Sequence, residues 1–179
     1  CIDNKPISNA DIVAAHAKVT GAFEGDRENT FFELTTAMAL YEFGRQKVDW
    51  AIIETGMGGR LDAVNIIDAD LALITAVDID HIDWLGDDRE QIGVEKAGIM
   101  RAGHPVVFAS RDMPQALARE AERLQAPVWR LGHEFDYAAR ASAWDWWCGE
   151  RRRVALPHPA LRGTGQLDNA AGVLIMLEL

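Results

Sequence analysis

The run L-A-L-I-T-A-V-D-I-D-H-I-D-W-L-G-D-D-R-E-Q-I-G-V-E-K-A-G-I-M-R-A-G-H-P-V-V-F-A, from Leu71 to Ala109, decides the fold. Leu71 to Val77 is apolar except for Thr75, and Val106 to Ala109 is apolar throughout. Short continuous apolar runs bounded by turn residues belong to strands covered on both faces. Between them, Arg89 to Met100 reads as a helix. Strand, helix and strand in this order make a parallel pair joined by a helical crossover.

The same alternation continues on either side. Downstream come a helix over Pro114 to Gln125 and a strand over Val128 to Leu131, and upstream Trp50 to Ile53 reads as a further strand. The expected fold class is therefore α/β, a mostly parallel doubly wound sheet. From Glu134 to Leu156 the pattern changes to alternation, with Phe135 and Tyr137, then Trp144 and Trp146, as in antiparallel strands. This reads as an antiparallel extension of the sheet edge in the C-terminal third.

Two helices precede the sheet. Ser8 and Asp11 open the first, in which Ile12, Val13, His16 and Val19 recur at helical spacing up to Gly21. Thr30 and Glu33 form a T-x-x-E capping box for the second, with Gly44 as its expected stop. The Pro- and Gly-containing segment from Pro157 to Gly165 links to a last apolar helical run at Ala170 to Leu179. Neither end carries a start or stop signal, so sequence is expected beyond both.

A chain of 179 residues with 49% hydrophobic content can form one well-packed domain. The formal charge of −10, spread along the chain without a basic stripe, argues against nucleic acid or anionic lipid as a partner. The two cysteines, Cys1 and Cys148, make neither a disulfide framework nor a thiolate metal cage. No apolar run approaches the length of a membrane span, and no signal pattern opens the chain. A cytoplasmic location is expected.

In an open parallel sheet, ligands collect beyond the carboxyl ends of the strands, which gives priority to residues after Ile53 and Val77. Glu54 opens E-T-G-M-G-G-R-L-D-A-V-N, whose glycines let backbone approach a ligand closely. This loop has neither the G-K-S/T of a phosphate loop nor dinucleotide-fingerprint spacing. Glu54 by itself reads equally as a salt-bridged loop carboxylate. D-I-D-H-I-D packs Asp78, Asp80, His81 and Asp83 into six residues. An imidazole among carboxylates can ligate a divalent cation, although such acids also serve as solvated loop residues and helix caps.

Other candidates have structural explanations of their own. Lys96 reads as a surface lysine, Thr30 and Glu33 as a cap, and Phe31 and Phe32 as core. Trp144, Trp146 and Trp147 read as a packed strand face with Asp145 between them, and Arg151 to Arg153 as a solvated turn. His16, His104, His133 and His158 lack clustered partners.

Four motifs then occur in order: T-F-F-E at Thr30 to Glu33, the glycine loop at Glu54 to Asn65, D-I-D-H-I-D-W-L-G at Asp78 to Gly86, and E-K-A-G-I at Glu95 to Ile99. Together they resemble the bifunctional dihydrofolate synthase and folylpolyglutamate synthase family, a branch of the Mur ligase superfamily. The resemblance implies a Mur-ligase-like central domain. It also implies an ATP-dependent ligase that adds L-glutamate to dihydropteroate, to folates or to both, through an acyl phosphate. ATP as co-substrate and Mg²⁺ are implied with it, and the protein is expected to act as a monomer on these small molecules.

By the same resemblance, Glu54, His81 and Lys96 are metal-site and catalytic residues, with Lys96 carbamylated. Thr30, Phe31, Phe32, Glu33, Leu61 and Asp62 line the pterin site, and Asn169 in Q-L-D-N-A-A contacts ATP. The family's G-K-G-S phosphate loop, expected upstream, and its smaller C-terminal domain are not within residues 1–179, so the chain alone is expected to be inactive. Val64 replaces a common threonine, and Ile79 a common leucine. The competing readings are another Mur-type amino-acid ligase, or a non-catalytic pterin- or metal-binding module.

Overall fold

The computed structural model describes residues 1–23, 29–79, 87–161, 163 and 165–179. They form two compact units: 1–57 with 62–66, and 58–61 with 67–179.

The first unit is built on α1 (Asn9–Thr20) and α2 (Phe31–Gln46). Both N-termini carry the caps read from the sequence. The Ser8 hydroxyl accepts from the Asp11 N–H, and Thr30 and Glu33 complete a reciprocal capping box. Ala15 and Val19 of α1 are buried. Glu42 of α2 is buried too, and Arg45 bridges it to Asp11 at 2.9 and 2.5 Å.

Three expectations fail here. The second helix does not stop at Gly44 but runs on to Gln46, because Lys47 takes the left-handed conformation at φ 54°. The Lys47 and Val48 N–H groups then satisfy the carbonyls of Gly44 and Phe43. A lysine there bears a steric penalty that glycine avoids. Lys47→Gly is therefore expected to raise stability by about 0.5–1 kcal/mol, and a urea midpoint that does not increase would contradict this. Phe31 and Phe32 are not core: they are 82% and 42% exposed, since the cap sets them in the first turn of α2. Trp50 to Ile53 is not a strand: it makes no ladder pairing among the described residues, and Ile52 is 94% exposed.

In the second unit, β1 (Ala72–Ile74), β2 (Val106–Phe108) and β3 (Val128–Arg130) form a parallel sheet in that order. The connections are α3 (Arg89–Ala97) and α4 (Gln115–Arg123). Val106 and Phe108 point into a core with Ile92, Ala97, Leu117 and Ala121 of these helices. Val107 points the opposite way, into a second core with Leu131, Phe135, Trp144, Trp146, Ala171 and Ile175. Burial on both faces explains why these strands read as unbroken apolar runs.

Helix α4 starts at Pro114, which offers no capping side chain, and Glu90 of α3 supplies the missing acceptor to the Gln115 and Ala116 N–H groups at 2.9 and 2.7 Å. The second face is covered by α5 (Gln166–Met176), where Gly172 packs so closely that a Cβ would lie 2.7 Å from that of Ala109.

The antiparallel segment is a separate sheet, not an edge strand of the first. β4 (Phe135–Ala139), β5 (Trp144–Cys148) and β6 (Arg151–Leu156) pair in sequence order, and an isolated bridge joins Leu131, just after β3, to Phe135. Arg151 to Arg153 thus lie in a strand. The turn falls one step earlier, at Gly149 with φ 55°. Arg151 and Arg153 bind Glu178, and Arg152 reaches Asp145.

Asp145 breaks the alternation by being buried between two buried tryptophans. Its carboxylate accepts from the Ala155 N–H at 2.9 Å and from Arg140 at 2.5 Å, where the register slips and Ala155 adopts φ 55°. Among the described residues, no helix is long and apolar enough to cross a membrane.

Candidate functional site

The glycine loop begins in the first unit. Glu54 is exposed, and neither an ion pair nor a hydrogen bond joins it to a described residue. Both carboxylate oxygens are free to serve as ligands. Gly56 lies under the ring of Phe32: a Cβ there would be 2.9 Å from Phe32 Cζ. The structure thus brings the T-F-F-E motif and the glycine loop together. Phe31, next to this contact, presents its ring to solvent.

Asp62 is engaged within the loop. Its Oδ2 accepts from the Met57 N–H at 2.9 Å and its Oδ1 from the Val64 N–H at 3.0 Å. The carboxylate therefore closes the loop on itself and fixes the turn into Ala63–Ile66, a short 3₁₀ helix. Thr30 and Glu33 are likewise engaged in their capping box. Val64, the departure from threonine, is half-buried.

Within the second unit, Gly59 and Arg60 rest on the end of α3, the helix that carries Lys96. The Arg60 N–H donates to the Glu95 carbonyl at 2.8 Å, and its guanidinium reaches Glu95 Oε1 from Nη2 at 2.9 Å. Lys96 is half-buried, with no ion pair or hydrogen bond from its ammonium to a described residue. Leu61 is 80% exposed. The N-terminus of α3 is held by Arg89, which donates to the Val77 carbonyl at 2.9 Å and to Asp112 at 2.5 Å. This ties the helix to the exit of β1.

His81, Asp80 and Asp83 lie outside the described residues. Asp78 is described, and its carboxylate accepts from its neighbour Ile79 N–H at 2.8 Å. Among the described residues, no three acidic, histidine or cysteine side chains cluster closely enough to hold a metal ion. Glu54 belongs to the first unit and Lys96 to the second.

Asn169 sits in the first turn of α5, half-buried. Beside it is a polar cluster that sequence spacing did not reveal, because its members come from three separate elements. The Tyr137 hydroxyl donates to Asp168 at 2.9 Å, Arg111 lies over the Tyr137 ring at 5.7 Å, and Arg111 pairs with Asp136 at 2.5 Å. Burial, reinforced by the Asp168 carboxylate, pushes the Tyr137 hydroxyl up to about 12.

A folded-state value above the unfolded one of 10.0 means that this contribution to stability is complete below pH 10 and is lost as pH rises through about 12. Spectrophotometric titration is expected to show a late phenolate step near pH 12 that is missing from Tyr137→Phe. Complete ionisation of both tyrosines by pH 11 would contradict this.

A parallel sheet covered on both faces, with a glycine-rich loop seated on a crossover helix, defines an α/β domain of the ligand-binding, doubly wound class. The chain belongs to the Mur ligase middle domain family, whose pattern matches residues 8–148. It is 43% identical over 149 residues to the dihydrofolate synthase/folylpolyglutamate synthase of Haemophilus influenzae, a match covering 83% of this chain and 33% of that protein. The fold is similar to that of E. coli FolC in complex with DHPP and ADP, with TM-score 0.90 and 37% identity over 97% of this chain and 41% of that one. It is also similar to the bifunctional folylpolyglutamate synthase/dihydrofolate synthase of Yersinia pestis complexed with AMPPNP and Mn ion. There the TM-score is 0.87 and the identity 42%, again over 97% of this chain and 41% of that one. The chain spans about a third of the length of the curated relatives it matches.

Proposed function

We propose that residues 1–179 are part of the central domain of an ATP-dependent ligase that adds L-glutamate to dihydropteroate, to folates or to both. The observation that carries this reading is the ordered set of four motifs on a fold similar to that of FolC with DHPP and ADP. In the reaction, the substrate carboxylate takes the γ-phosphoryl group of ATP and releases ADP. The amine of glutamate then attacks the acyl phosphate, forming the amide and releasing phosphate.

Glu54, His81 and Lys96, the last as its carbamate, would hold the metal. Carboxylate and carbamate oxygens are the donors Mg²⁺ prefers, and the free carboxylate of Glu54 fits that role. When bound, Mg²⁺ supplies positive charge against the phosphate oxygens, which an acidic chain otherwise provides sparingly. Phe31 and Leu61 offer exposed apolar surface to a pterin ring. Asp62 would shape the loop for the substrate, and Thr30, Phe32 and Glu33 would hold the start of α2 against Gly56. Asn169 would donate to the nucleotide from the first turn of α5.

No G-K-S/T loop occurs in the 179 residues, so by themselves they are expected not to hydrolyse ATP. The test of the reading is interception of the acyl phosphate in the intact ligase. With hydroxylamine in place of glutamate, ATP and dihydropteroate should give the hydroxamate and one ADP for each. Absence of an ATP-dependent hydroxamate, where the natural product forms, would overturn the acyl-phosphate route.

A further inference from the structure

The seat of the glycine loop on α3 is closer than packing alone requires. A Cβ on Gly98 would lie 2.3 Å from Arg60 Cβ and 2.5 Å from Arg60 Cα. One on Gly59 would lie 2.8 Å from Ile99 Cγ2, 2.9 Å from the Glu95 carbonyl and 3.3 Å from that of Lys96. Backbone therefore meets backbone on both sides of Lys96. The Arg60 N–H binds the Glu95 carbonyl at 2.8 Å, and Arg60 Nε and Nη2 converge on Glu95 Oε1 at 3.1 and 2.9 Å.

Glu95 and Lys96 are consecutive on a helix, about 100° apart around its axis. Capturing the Glu95 side chain and carbonyl together fixes the rotation of the last turn, and with it the direction in which Lys96 leaves the helix. An ion pair whose members are 50% and 24% exposed contributes little to stability. Its consequence is geometric.

We propose that Arg60 and Glu95, closed together by Gly59 and Gly98, form a clamp that positions Lys96 for the ligase reaction. The clamp rests on the reading of Lys96 as a reaction-site residue given above. Arg60 and Glu95 act through Lys96 and are positioning residues. A loop that is itself part of the site thereby sets the orientation of a site residue about 35 positions further along the chain.

The test uses the intact ligase with Arg60→Ala, Arg60→Lys, Glu95→Gln and the reversed pair Arg60→Glu/Glu95→Arg. Each variant is measured for kcat, KM for ATP, the Mg²⁺ concentration giving half-maximal rate, and melting midpoint. Misplacement of a site residue by about 1 Å costs up to about 10²-fold in rate. Arg60→Ala and Glu95→Gln should lower kcat by roughly 10- to 100-fold and raise the Mg²⁺ requirement. The midpoint should move by no more than about 4 °C. Arg60→Lys should retain part of the rate, and the reversed pair should recover more than either of its single substitutions.

Rates within twofold of wild type in Arg60→Ala and Glu95→Gln, with Lys96→Ala inactive, would overturn the clamp and leave the ligase reading standing. Full activity in Lys96→Ala would instead overturn the reading on which the clamp rests. Loss of rate that only parallels loss of melting midpoint across the series would reduce the contact to a structural one and also overturn the proposal.

Discussion

On the proposed ligase reading, Lys96→Ala in the full-length protein is expected to lower glutamate addition by roughly 10²–10³-fold, the loss typical of removing a group that stabilises transition-state charge. The melting midpoint should stay near the wild-type value. The side chain is half-buried and its ammonium bonds to no described residue, so alanine leaves no orphaned partner. Added bicarbonate should not restore the rate, since alanine has no amine to carbamylate. Formate or acetate should restore part of it by placing an anionic oxygen in the space vacated. Activity is measured as ADP release with dihydropteroate and glutamate at saturation. A wild-type rate in Lys96→Ala would remove the carbamate from the account.

The largest effect on stability is expected at Trp146. Its side chain is wholly buried and joins Val107 of the parallel sheet, Phe135 of the antiparallel sheet and Ala171 of α5 in one core. Trp146→Ala removes the largest fully buried side chain among the described residues and leaves a cavity among elements from three segments of the chain, at a cost of about 3–5 kcal/mol. Domains of this size are stable by about 5–15 kcal/mol, so the variant should melt far below wild type. Trp146→Phe should cost much less, because it keeps most of the ring and removes an indole N–H that has no hydrogen-bond partner among the described residues. Equal midpoints for the two variants, measured by near-ultraviolet circular dichroism, would contradict this account of the core.

What could be read directly from the sequence was local or repetitive. Ser8 and Thr30 announced their helices because capping links residues three apart. Val106 to Phe108 announced a strand because both of its faces are covered. What escaped depends on partners distant in sequence. Trp50 to Ile53 has the composition of a strand, but a strand exists only where another lies beside it. Spacing showed Asp145 only as an acid between tryptophans, whereas Arg140, Arg152 and the Ala155 N–H assemble around it across two hairpins.

The candidate site divides in the same way. Order among four motifs exposed the family, and the contact of Phe32 with Gly56 joins two of them. The loop-closing role of Asp62 and the Arg111, Asp136, Tyr137 and Asp168 cluster exist only in the folded chain, and neither follows from spacing. Arg60 and Glu95 belong to two of the motifs, but that they meet could not be read from either.

The central claim is glutamate ligation to a pterin-bearing carboxylate. It is tested most directly by assaying the full-length protein with ATP and Mg²⁺ against dihydropteroate and tetrahydrofolate, each with and without L-glutamate, following ADP and the mass of the product. The account predicts ADP release coupled one-to-one to a product heavier by one glutamyl residue, with at least one of the two pterins. ADP release independent of both pterins, or glutamate joined to neither, would contradict it.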